Sequence, residues 1–160
     1  MGRIYAVPYQ GTVTSAGGDA DLFELLPATQ KPIKLRGFVL AQISEVGDTA
    51  EEGVRISIIR MTSAITSSNG TSITPVPMDG ADVAAGFTAE GNGATVATTS
   101  GASTVVCEYG WNLRNSPCEV WYPDERFCPK AKNAEGLFIR LQTTLADDIT
   151  FQGTVWVEEE

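Results

Sequence analysis

Few side chains in this sequence could carry out a reaction, and their spacing does not favour one. Carboxylates are adjacent at Glu51-Glu52, Asp124-Glu125 and Asp147-Asp148. Neighbours on a strand point to opposite faces, and on a turn both stand in solvent. A glycosidase needs two carboxylates facing each other across its substrate, which nothing local here provides. Asp19, Asp21, Asp48, Glu51 and Glu52 are oxygen donors in Gly-containing loops, but they lack the EF-hand spacing. They read as solvated loop acids, with an ion held by separate loops as the alternative. There is no Walker A pattern, and Gly91-Asn92-Gly93 lacks the third glycine and the flanking strand and helix of a dinucleotide fingerprint.

The chain contains no histidine. That removes Ser-His-Asp triads, Cys-His dyads, His-ligated zinc and imidazole acid-base pairs. Cys107, Cys118 and Cys128 are separated by ten and nine residues, unlike the close pairs of zinc sites. They are expected to be free thiols, with Cys107 a small apolar side chain among Val105, Val106 and Tyr109. A protein without a catalytic centre, cofactor or metal is the expectation.

Aromatic residues offer binding rather than catalysis. Trp111, Trp121 and Tyr122 are followed by Phe127, and exposed Trp and Tyr can anchor a protein interface or stack on sugar rings. Trp111 has the parity of a core residue. Trp121-Tyr122-Pro123 lies in a loop of mixed polarity, where packing, an interface and a sugar platform all remain open.

The elements that would position these residues are strands. Ile33, Leu35, Val39, Ala41 and Ile43 share one parity, with Lys34, Arg36 and Gln42 on the other. This period of two marks a half-buried strand, although Phe38 and Leu40 make its outer face apolar as well. The same test finds Val54, Ile56 and Ile58, then Val105, Cys107, Tyr109, Trp111 and Leu113. Leu137, Ile139 and Leu141, followed by Ile149, Phe151, Val155 and Val157, predict a closing antiparallel pair with its turn at 145–148. Weaker strands fall at 5–13, 21–26, 73–78 and 95–99. Asn69-Gly70 and Asn92-Gly93 suit type I′ hairpins, and 79–86 could form one or two helical turns. The fold class is therefore all-β, an antiparallel β-sandwich or jelly roll of about eight or nine strands with little helix.

Residues 62–102 are rich in Ser, Thr, Gly and Ala and contain Thr74-Pro75-Val76-Pro77. Proline cannot donate to a central ladder, so this stretch reads as an edge strand or extended arm on one domain spanning 1–160. A length of 160 residues suits one core.

Eleven Lys and Arg against twenty Asp and Glu give a net charge of −9 with no basic cluster, so nucleic acid is not an expected direct partner. No apolar stretch is long enough for a membrane span, and the N-terminal residues lack a signal-peptide core. Ala6 stands where an N-myristoylation motif wants Ser or Thr. The Asn69-Gly70-Thr71 sequon accordingly reads as a turn.

The opening Met1-Gly2-Arg3-Ile4-Tyr5-Ala6-Val7, the run Asp21-Leu22-Phe23-Glu24-Leu25, and Thr74-Pro75-Val76-Pro77-Met78 leading to Ala84-Ala85-Gly86 form a recognisable set. With Gly153-Thr154-Val155-Trp156-Val157-Glu158-Glu159, it resembles small virion structural proteins of tailed bacteriophages, of the capsid decoration or cement type. The resemblance implies a non-enzymatic β-rich protein assembled in the host cytoplasm. It would sit on the capsid surface as a homo-oligomer, with a trimer favoured, bound to the major capsid protein. Its contacts are then expected from Tyr5, Val7 and Tyr9, from Pro75, Val76 and Pro77 in the arm, and from Trp121 and Tyr122. A glycan- or receptor-binding module of the tail or head surface is the alternative.

Overall fold

Alternation of apolar and polar side chains becomes two antiparallel sheets in the computed structural model, which describes residues 2–44, 51–93, 95–115 and 117–160. The strands are β1 (Arg3–Val13), β2 (Ala20–Leu26), β3 (Ile33–Gln42), β4 (Gly53–Thr62), β5 (Ile65–Thr66), β6 (Thr71–Ile73) and β7 (Val76–Pro77). They continue with β8 (Thr88–Gly91), β9 (Thr98–Thr99), β10 (Ser103–Asn112), β11 (Cys118–Trp121), β12 (Lys130–Ala131), β13 (Glu135–Leu141) and β14 (Ile149–Glu159). Sheet A has the order β11-β3-β14-β1-β7, with β12 also paired to β3. Sheet B has the order β10-β4-β13-β2-β8-β6, and β5 pairs with β9 apart from both. Among the described residues helix is confined to single 3-10 turns at Ser15–Gly17 and Glu125–Phe127, and no helix is long and apolar enough to cross a membrane.

The inward faces of the sheets share one core, in which Tyr5, Val7, Leu35, Phe38, Phe151 and Val155 from sheet A meet Leu22, Ile56, Ile58, Leu137 and Ile139 from sheet B. Ring contacts tie the layers together at Tyr9–Phe23, Phe38–Tyr109 and Trp111–Phe151. Each adds about 0.5–1.5 kcal/mol to the burial of its rings. This is an antiparallel β-sandwich.

Several expectations are corrected by the register. β13 and β14 do not form a closing hairpin: β13 lies between β4 and β2 in sheet B, while β14 lies between β3 and β1 in sheet A. Their apolar faces meet across the core, so the chain between them changes sheets. In β3, Gly37 is opposite Trp156 and Leu35 is opposite Val157, which leaves Arg36 as an extra residue. This bulge reverses the parity beyond it. Phe38 and Leu40 are therefore core residues, and Val39, Ala41 and Ile43 are not. A second bulge, between Val105 and Cys107 in β10, turns Val105 out to solvent.

Asn69 and Asn92 adopt the left-handed conformation, at φ 54° and 55°. Neither turn joins two strands that pair with each other, so the hairpin expectation fails at both. Residues 79–86 are not helical: the Asp79 carboxylate accepts from Ala81 N–H, and the chain then extends past Val83, whose carbonyl accepts from the Tyr5 hydroxyl. Of the strand expected at 95–99 only Thr98–Thr99 forms.

Within 62–102, described residues bond to the body of the sandwich at Ser68 and Ala97. Ala97 packs with Ile59, Met61 and Phe138 on the outer face of sheet B. Its N–H donates to Asp21 Oδ2 at 2.7 Å and its carbonyl accepts from Arg140 Nη2 at 3.0 Å. Nearby, Ser68 donates from N and Oγ to the buried carboxylate of Glu24, and Gly70 N–H donates to Glu90. Buried acids on that face thus bond to Ser68 and Ala97 of the segment.

Candidate functional site

The outer face of sheet A carries a row of residues in direct register across five strands: Trp121 on β11, Gly37 on β3, Trp156 on β14, Ala6 on β1 and Val76 on β7. Residues opposite one another share a face, so the row is continuous. Gly37 supplies no side chain between the two tryptophans, and their ring centroids approach to 4.6 Å with a 33° interplanar angle. Trp121 nevertheless remains 50% exposed and Val76 51%. Trp121 Nε1 donates to the carboxylate of Glu119, two residues earlier on the same face.

Beside this row runs a groove of about 490 Å³ lined by Ile4, Arg36, Met78, Trp121, Pro123 and Trp156, with Tyr122 at its base. Met78 is 59% exposed and held there by its N–H to the Ile4 carbonyl. Ile4 and Arg36 also border a second hollow of about 650 Å³, where Lys34 meets Glu125, Glu158 and Glu160. The trough is apolar at one end and charged at the other.

At the charged end every described carboxylate has a cation. Lys34 pairs with Glu125 and Glu160, Lys130 with Glu125, and Arg36 with Glu158 at 3.4 Å. The bond to Glu125, then that to Glu160, pushes the Lys34 ammonium above its ordinary range, and Lys34 holds Glu125 below the usual carboxylate range. Asp124 caps the turn at Glu125–Phe127 through Arg126 N–H, and its bonds with Arg126 lower it as well.

Under the groove, the Tyr122 hydroxyl bonds that of Tyr109 at 2.6 Å and closes the seam between β10 and β11. Burial raises both phenols. Cys107, Cys118 and Cys128 are free thiols, with Cys128 buried beneath Arg36.

The expected contact residues divide. Tyr5, Val7 and Tyr9 face sheet B and are core, which corrects their reading as a contact surface. Tyr122 is also largely buried and meets the groove only along its base. Val76, between Pro75 and Pro77, sits at the exposed edge of the row, and Trp121 stands at the opposite end. Trp111 is a core residue, and Phe127 is exposed without lining the groove. Asp21 does not join an ion site, because its carboxylate takes Arg140 through both oxygens at 2.6 and 2.9 Å. Glu52 caps Ala146 N–H, and Asp48 lies outside the described residues.

Trp156, Gly37, Ile4 and Met78 join this surface without having been expected there. A signal existed for Trp156, which shares the outward parity of Thr150, Gln152, Thr154 and Glu158. No family model, curated protein or solved structure matches this chain.

Proposed function

We propose that this chain is a non-enzymatic virion structural protein of the decoration or cement type, docking on the outside of a tailed-bacteriophage capsid through the outer face of sheet A. The observation that carries the reading is the half-exposed Trp121–Trp156 stack, set in an apolar row that ends at Val76. Large aromatic rings left open beside a groove mark interaction surfaces. The resemblance in sequence supplies the partner, the major capsid protein, and the favoured trimer.

Such a protein acts by differential affinity, binding the closed shell better than free subunits and so stabilising the shell by mass action. It needs contact area rather than a reactive group. The excess of acidic side chains would keep the unbound protein dispersed.

The test is co-sedimentation with capsids assembled without this chain. Wild type should pellet with the particles and raise their rupture temperature. Trp121→Ala, folded by circular dichroism, should do neither. Equal binding by both proteins would refute the assignment of this face.

A second reading, a glycan-binding module, draws on the same free indole face of Trp121. It predicts binding to purified host polysaccharide in the absence of capsids, lost in Trp121→Ala.

A further inference from the structure

The carboxylates around the trough are not equivalent. Glu125, Glu158 and Glu160 each have a lysine or arginine of this chain, and Asp124 has Arg126. Among the described residues Glu119 has no cation within 4.0 Å. Its carboxylate is oriented instead by the Trp121 indole N–H, which fixes an anion at the edge of a half-exposed ring.

We propose, resting on the docking reading above, that a cationic side chain of the partner completes this site. An arginine laid on the open face of Trp121 pairs with Glu119, while an aliphatic neighbour enters the groove beside Ile4 and Met78. The indole face attracts cations electrostatically. Arginine suits the pair better than lysine, since its planar guanidinium can stack on an indole and bond a carboxylate at once. Charge complementarity points the same way: among the described residues the carboxylate beside the groove that lacks a cation is Glu119, on a chain of net charge −9. The occupant is therefore an extended protein segment in which a basic residue adjoins an aliphatic one.

The probe is the synthetic peptide acetyl-Gly-Leu-Arg-Leu-Gly-amide, compared with its citrulline analogue, which keeps the planar shape and loses the charge. Binding to the ¹⁵N-labelled protein is read at the Trp121 indole N–H resonance, with that of Trp111 in the core reporting the fold. The arginine peptide is expected to shift Trp121 and to bind about tenfold more tightly than the citrulline peptide. Glu119→Gln should narrow that gap, leaving only the part due to the indole face. Equal affinity of the two peptides, or a Trp121 resonance moved by a neutral hexasaccharide and not by the arginine peptide, would overturn the proposal. If both peptides fail while Trp121→Ala still abolishes capsid binding, the cation is wrong and the docking face stands. If Trp121→Ala binds capsids normally, the docking reading itself has failed.

Discussion

Trp121 and Trp156 stand on strands that do not pair with each other, yet their rings stack at 4.6 Å because Gly37, on the strand between them, lies opposite both. A Cβ at Gly37 would come within 2.6 Å of Trp121 Cε3 and of the Val120 carbonyl oxygen. The bulge at Arg36 turns this glycine to the outer face. One local irregularity thus fills the core with Phe38 and opens the floor beneath the tryptophans.

Gly37→Ala should displace the Trp121 ring, because the Val120 carbonyl belongs to the sheet and cannot yield easily. The expected cost is about 1–3 kcal/mol in urea unfolding, in the range of overpacked sites. Tryptophan emission should shift to the red, and capsid binding should weaken with it. An unchanged emission spectrum would mean that the two rings do not depend on the glycine.

Arg140→Ala leaves the buried carboxylate of Asp21 without its partner and is expected to cost about 3–5 kcal/mol. The loss should be accompanied by faster proteolysis around Ala97, which both residues hold. The double variant Asp21→Leu, Arg140→Met should recover much of the global stability while leaving the 95–99 segment susceptible. Thermal unfolding and timed digestion separate the two effects.

The parity of apolar side chains was sufficient to find most of the long strands and the sandwich, because a half-buried strand must alternate. It failed where the backbone departs from strict alternation. Phe38 and Leu40 seemed outward because the bulge at Arg36 leaves no mark in composition. β13 and β14 seemed a hairpin because alternation reports burial and not neighbours, and a strand facing its successor across a core has the same pattern as one beside it. Tyr5, Val7 and Tyr9 already shared the core parity, so their assignment as contacts came from the resemblance and not from the pattern. Trp121 was legible as a candidate. Its stacking partner was not, since the meeting of Trp156 with Trp121 depends on sheet order, which no local spacing encodes.

Alkaline titration should weaken the fold. Burial raises the phenols of Tyr9, Tyr109 and Tyr122, so above the usual tyrosine value near 10 the unfolded chain binds fewer protons than the folded one. Their contribution is complete below that pH and declines as pH rises beyond it. Lys34, raised by Glu125 and Glu160, acts in the same direction. Urea midpoints should therefore fall from pH 10 upward, and absorbance at 295 nm should show Tyr5-independent, delayed ionisation of three phenols in Tyr5→Phe.

The thiols should differ in reach. Cys128 is buried, and burial raises the thiol of Cys118, so native alkylation near neutral pH is expected to be slow at both. Mass spectrometry should find three modified cysteines only after denaturation. Rapid modification of Cys128 in the native protein would contradict its place beneath Arg36.

The most direct measurement is a cryo-electron microscopy map of capsids carrying this protein, at a resolution that places indole rings. Sheet A is expected to be turned toward the shell, with Trp121 and Val76 covered by the major capsid protein and a basic side chain beside Glu119. A map in which the Trp121–Trp156 face looks out to solvent, with sheet B against the shell, would contradict it.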